Sequence, residues 1–296
     1  MDYWNLFVTS WKSYASYLVG DITHPGPHSY FYWLLIISAA VYVLEILFPW
    51  RKQQRRIRRD FWLDGFYMFF NFFLFSLIGY FALSEVVSRA FQDLLAGFGI
   101  DNLVALKVGD LPRWAQLLTL FLLRDFIHWN VHRLLHAVPW LWEFHKVHHS
   151  VLEMGFAAHL RYHWMENVVY RTLEYIPLGL IGFGIQDFMI VHLTALTIGH
   201  LNHANFSYNL GPLKYVFNNS RMHIWHHMKT PPAHHRTGVN FGISLSLWDY
   251  LARTAYIPSS GRDIELGFDD VERFPQSFPG QAAYPLLADK QQPHAN

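Results

Sequence analysis

From Tyr30 to Trp50 the chain reads YFYWLLIISAAVYVLEILFPW, in which Glu45 is the only charge. A helix of about 20 such residues is long enough to cross a ~30 Å hydrocarbon core. A second run, Phe66 to Leu83, predicts another span and carries only Asn71 as a strongly polar interruption. Between the two lies RKQQRRIRRD, with Arg51, Lys52, Arg55, Arg56, Arg58 and Arg59 flanked by Trp50 and Trp62. A short basic loop between two spans places that end in the cytosol, with the tryptophans as interfacial anchors. The segment from Ser84 to about Arg113, with Glu85, Asp93, Asp101 and Asp110, then lies on the far side.

A third apolar stretch, WAQLLTLFLL from Trp114, runs without a breaker into a histidine-bearing helix and returns the chain to the cytosol. Later, YIPLGLIGFGI and FMIVHLTALTIG are each short, and Pro177 with several glycines predicts a helical hairpin entering the membrane. Whether it spans or re-enters, both ends of the hairpin face one compartment. The residues before His28 mix aromatic and polar types and lack the pattern of a signal peptide. The stretch after Pro258, rich in Pro, Gly, Gln and Asp, reads as a cytosolic tail. The expected organisation is a membrane-anchoring region with two spans over 1–113, a histidine-rich domain over 114–257 and a tail over 258–296.

Composition sharpens this picture. Charged residues make up 15% of the chain against 52% apolar, too few charges to cover a water-facing surface. A net charge of +1 argues against a nucleic-acid partner, because phosphate recognition needs a concentrated basic face. The absence of cysteine excludes disulfides, iron–sulfur clusters, thiolate zinc sites and a cysteine nucleophile. Any metal must rest on His, Asp and Glu.

Histidine is abundant, and 16 of the 19 lie between His128 and His235. In HRLLH, His132 and His136 stand one helical turn apart, so both imidazoles project from one face. HKVHH (His145, His148, His149) and HIWHH (His223, His226, His227) repeat nearly one pattern. Between them lie RYHWME, with His163 and Glu166, and HLNHAN, with His200 and His203. Packing so many imidazoles together without a cation would leave each ring to recover its desolvation cost by hydrogen bonding. Around ten histidines are too many for one ion, so the count points to two metals with open positions. Imidazole suits zinc, copper, nickel and iron alike. A site just beneath a bilayer suits an apolar substrate, whose unactivated C–H bonds need oxygen chemistry rather than hydrolysis. The rival reading is a metal transporter or membrane metal-binding protein, which would carry its ligands at the bilayer midplane on broken helices, whereas most of these boxes follow the apolar runs.

The order H-x-x-x-H, H-x-x-H-H, R-x-H-x-x-E, H-x-N, H-x-x-H-H resembles the fatty acid hydroxylase and sterol desaturase superfamily of membrane di-iron enzymes. RDFIHWNVHRLLHAVPWLWEFHKVHHS and NFGISLSLWD carry the likeness, which covers roughly 115–255. It implies an all-α integral membrane fold of about four membrane-embedded helical segments under a cytosolic helical cap. It implies metal ligands at His132, His136, His145, His148, His149, His163, His203, His223, His226 and His227, and at His200, since some branches place two histidines in that box. It further implies two iron ions, O2 as oxidant, a separate electron-donor protein and hydroxylation or desaturation of a membrane lipid such as a sterol, fatty acyl chain or sphingolipid. Metal-bound imidazoles need their second nitrogen tied down, and Asp125, Glu166 and Asp249 are the expected partners. His128 is expected to support or pack, His159 and His192 to be bystanders, and His234 and His235 to line an entrance. Trp164 stands where the family commonly has proline.

Overall fold

The computed structural model describes residues 2–99, 108–180, 183 and 185–287. Asp101 of the expected far-side loop, the hairpin tip at 181, 182 and 184, and the end of the tail from 288 onward lie outside the described residues. Among the described residues there are helices and three isolated bridges but no strand, as an all-α reading requires.

Helix α1 (Tyr3–Thr23) was not expected. Asp2 starts it by accepting a hydrogen bond from the Asn5 N–H at 2.7 Å. Helix α2 (Tyr30–Leu47) is the first predicted span. The second is longer than predicted: α3 (Phe61–Phe69) passes through π-helical turns at Phe70–Leu74 and Ser76–Tyr80 into α4 (Phe81–Gly97). Among the described residues these two are the helices long and apolar enough to cross a membrane, the second over 37 residues. A straight helix of that length would measure about 55 Å, well beyond a hydrocarbon core. It does not run straight, because Gly79 sits at φ 139 inside the π-helical stretch. Ser84 to Gly97, read from the sequence only as lying on the far side, is helix folded against α1, with Tyr14 stacked on Phe81 at 5.0 Å and Trp11 Nε1 donating to the Leu77 carbonyl.

The polar interruptions of both spans tie them to later segments. Glu45 Oε1 accepts from the Phe156 and Asn205 N–H groups, each at 2.7 Å. Asn71 is fully buried, donates to the Leu160 and Tyr162 carbonyls and accepts from Asn167 Nδ2. The basic loop is likewise only partly solvated. Arg58 is buried in an ion pair with Asp64, which also meets Arg161, and Arg51 donates to the Met154 carbonyl.

Helix α5 (Arg113–Ala137) carries the third apolar stretch straight into the first histidine pair, as read from the sequence. Pro139 then opens α6 (Pro139–His149) at the first helical position. The predicted hairpin is α7 (Trp164–Leu180) and α8 (Ile185–His203), and both pack on α5. Short helices α9 (Ser220–His226) and α10 (Leu247–Ala252) follow.

The stretch after Pro258 is not a free tail. Phe268, Val271 and Phe274 are buried against Tyr67 and Val147. Helix α11 (Phe278–Leu287) then docks on α6, with Gln281 fully buried and accepting from the Tyr67 hydroxyl at 2.9 Å. The apolar residues of the whole stretch after Pro258 are spread among Pro, Gly and Asp without a helical period, so the pattern along the sequence conceals a packed segment.

Candidate metal centre

Four helices bring nine imidazoles into two buried groups. His132 and His136 of α5, His145 and His149 of α6 and His226 of α9 form one; His148 of α6, His203 of α8 and His223 of α9 with His227 at its end form the other. Within each group the ligand nitrogens lie within 4.8 Å of one another. The H-x-x-H-H spacing explains the partition, because neighbouring residues on one helix turn by 100°. His148 and His149 thus face different groups, and so do His226 and His227.

The hydrogen bonds decide what the groups can hold. His132 Nδ1 faces the Phe241 carbonyl at 2.7 Å, and His145 Nδ1 faces Glu166 Oε2 at 2.8 Å. A carbonyl or carboxylate oxygen accepts, so each Nδ1 carries the ring's proton and each Nε2 a lone pair. Yet the two Nε2 atoms face one another at 3.1 Å. The second group repeats this: His148 Nδ1 donates to the Arg161 carbonyl and His203 Nδ1 to the Gly199 carbonyl, leaving their Nε2 atoms opposed at 3.3 Å. Opposed lone pairs repel unless a cation lies between them. An ion about 2.1 Å from each nitrogen sets adjacent ligands about 3.0 Å apart in an octahedron and about 3.4 Å in a tetrahedron. The Nε2 separations His149–His226 (3.1 Å), His203–His223 (3.0 Å) and His223–His227 (3.1 Å) fall in that range. Nε2 of His136 is buried without a hydrogen-bond partner. The donor set therefore fits two imidazole-bound metal ions. Burial, reinforced by neighbouring imidazoles, holds His145, His149, His223, His226 and His227 well below the ordinary histidine range, and burial pushes His148 down to about 4. The rings are neutral, the form that binds metal.

Of the expected ligands, His163 and His200 stand outside both groups. His163 Nε2 faces the Ala282 carbonyl of α11 at 2.9 Å, and its Nδ1 accepts from the Met165 N–H. His163 precedes α7, where its own N–H donates to Glu166 Oε1 and its carbonyl accepts from the Glu166 N–H, a reciprocal helix cap. Glu166 thus serves twice, capping α7 with one oxygen and orienting His145 with the other. His200 meets Ser38 Oγ and His159 Nδ1, each at 3.1 Å.

The other expected carboxylate partners act at one remove. Asp249 accepts from the Phe241 and Gly242 N–H groups and from Trp129 Nε1. It thereby fixes the carbonyl that holds His132. Asp125 accepts from the Ser244 and Leu245 N–H groups and from Trp248 Nε1, clamping NFGISLSLWD onto α5. Sequence reasoning missed Glu174, which accepts a hydrogen bond from His128 Nδ1 at 2.6 Å and pairs with Arg124 at 3.2 Å. Its signal was an acid two helical turns after Glu166, just before the apolar YIPLGLIGFGI run. His234 and His235 lie in tilted ring contact at 4.6 Å and do not border the main cavity.

That cavity, about 1580 Å³, reaches His132, His145 and His148 at one end. It runs between α5, α7 and α8 past Tyr30, Phe72 and Leu196 to Leu83, Val87 and Phe91 of α4. His192 lines it, in ring contact with Tyr30 and Phe72 at 5.6 Å each.

Residues 117–254 match the family model described as fatty acid hydroxylase. Among curated proteins the chain is similar to an ornithine lipid hydroxylase of Rhizobium tropici, 30% identical over 175 residues, or 59% of this chain and 51% of that one. A very-long-chain aldehyde decarbonylase of Oryza sativa subsp. japonica is 28% identical over 47% of this chain and 46% of its own. An alkylglycerol monooxygenase of Xenopus tropicalis is 27% identical over 49% of this chain and 31% of its own. The matched stretch spans about half or less of the length of these relatives. No solved structure matches the chain.

Proposed function

We propose, from the premise that this chain belongs to the fatty acid hydroxylase family through residues 117–254, that it is a multi-pass membrane enzyme using two iron ions and O2 to oxidise a membrane lipid. The observation that carries the reading is the pair of opposed-lone-pair histidine groups at the end of a largely apolar cavity. Iron held there supplies the one-electron oxygen chemistry that unactivated C–H bonds demand. His132, His136, His145, His149 and His226 hold one ion, and His148, His203, His223 and His227 the other. Glu166 and the Phe241, Arg161 and Gly199 carbonyls fix the ring orientations, so the ligands do not reorganise as the metal charge changes. The aromatic walls take the lipid and exclude water.

Hydroxylation is favoured over desaturation, in keeping with the hydroxylase and monooxygenase among the relatives. Electrons come from a separate donor protein. Helix α2, the α3–α4 helix, α5 and the α7–α8 hairpin make about four membrane-embedded segments, with the histidine groups toward the cytosol. The test is elemental analysis of the purified full chain together with lipid mass spectra of cells with and without it. Two iron ions per chain and a lipid gaining one oxygen or losing two hydrogens are expected. One ion or none in a folded, iron-supplied preparation, or no lipid mass change, overturns the reading.

A further inference from the structure

The cavity is not apolar throughout. On α5, Arg124, His128 and His132 recur every four residues and all three border it. Facing them on α7, in the opposite order, stand Glu174, Tyr170 and Glu166, also four apart and also bordering it. The two stripes pair off: Glu174 with Arg124 and with His128 Nδ1, Tyr170 stacked on the His128 ring at 4.4 Å, and Glu166 through His145 with the first metal group. A polar ladder thus descends from the metal ligands into the space a lipid would fill.

Its middle rung is incomplete. His128 Nδ1 donates to Glu174, and neither His128 Nε2 nor the Tyr170 hydroxyl has a hydrogen-bond partner among the described residues. A plain hydrocarbon chain laid along the ladder would cover both atoms without satisfying either. We propose that His128 and Tyr170 form a polar subsite for the lipid, receiving a group that both donates and accepts, of which an amide is the simplest. The Tyr170 O–H donates to its carbonyl oxygen and His128 Nε2 accepts its N–H. Only one helical turn, about 6 Å along the axis, separates this rung from His132, and the two rings lie 6.3 Å apart. The carbon presented to the metals is then a few bonds from the amide, not the far end of an alkyl chain. This inference rests on the lipid-oxidation reading above, and it selects the class of lipid and the part of it that reacts.

The test is equilibrium binding of tritium-labelled hexadecanamide and hexadecane to the iron-loaded, detergent-purified full chain, with metal content measured in every sample. The wild-type protein should bind the amide about tenfold more tightly. Tyr170→Phe should remove about three- to tenfold of that preference, one neutral hydrogen bond's worth, with hexadecane binding and metal content unchanged. His128→Phe, which keeps a flat ring against Tyr170, should likewise weaken amide binding selectively. A wild-type protein without preference, or a Tyr170→Phe variant that leaves the preference intact or weakens both probes equally, overturns the subsite. A chain that prefers the amide yet holds no iron keeps the subsite and overturns the oxidase reading instead.

Discussion

At His148 the ligand role follows from one hydrogen bond: with Nδ1 donating to the Arg161 carbonyl, Nε2 offers a lone pair to the second group. His163 has the same residue type in an equally box-like setting, but both its nitrogens are engaged by protein. His148→Ala should therefore lose metal and nearly all activity. His163→Ala should keep both ions and lose about 1–2 kcal/mol of stability through the contact with α11. Paired metal analysis and thermal unfolding of the two variants checks this. Burial also predicts a pH dependence. The His148 imidazole stands near 4 in the fold against 6.5 ordinarily, so in metal-free protein the unfolded chain takes up the proton first. Its stabilising contribution is complete above about pH 6.5 and is lost as the pH falls from there toward 4. The melting temperature of chelator-treated protein should therefore drop between pH 7 and 5 and stay level from 7 to 8.

At the scale of elements, the seating of α8 on the second metal group depends on Gly199. A methyl group there would fall inside the His159 ring, which lies between α8 and the 3-10 turn Phe156–Leu160. The His203 ring, one turn on, lies 5.1 Å from that of His159, and its Nδ1 proton goes to the Gly199 carbonyl itself. Gly199→Ala should push α8 outward and lower metal content toward one ion per chain. Gly20→Ala, where nothing stands within 4 Å, is the control that should leave metal content unchanged. Elemental analysis of both variants decides it. The histidine spacing was legible in the sequence. The requirement for glycine was not, because the ring that imposes it arrives from a segment 40 residues earlier.

For the whole molecule, the stretch after Pro258 is structural. A chain ending at 257 loses the burial of Phe268, Val271 and Phe274, each worth about 1.5–3 kcal/mol, along with the seat of His163 on α11. Truncation should abolish accumulation of folded, metal-bearing protein, whereas a dispensable tail would leave it intact; detergent size-exclusion with metal analysis distinguishes the two. The same packing bears on sidedness. Trp50 and Arg51 bond to Asn205, just past the end of α8, and Arg51 to Met154, five residues after the H-x-x-H-H of α6. The basic loop and the histidine segments therefore share one end of the molecule. Single cysteines at Lys52 and after Tyr250 should react with an impermeant thiol reagent from the same side of the membrane, and opposite labelling would contradict this arrangement.

Local chemistry was enough to read much of this protein from its sequence. Apolar run length located α2 and the core of the second span, and helical spacing put the imidazoles of each box on helices. A histidine count beyond one coordination sphere called for two ions. Those properties reside in neighbouring residues, so the chain order alone determines them. Which histidines bind, which merely pack, and which carboxylate orients which ring depend on partners far apart in the chain: His145 with Glu166, His132 with the Phe241 carbonyl, His163 with Ala282. At His132, His145, His148 and His203, Nε2 keeps a lone pair for a metal because the proton on Nδ1 has an acceptor to go to. Only the tertiary structure supplies that acceptor.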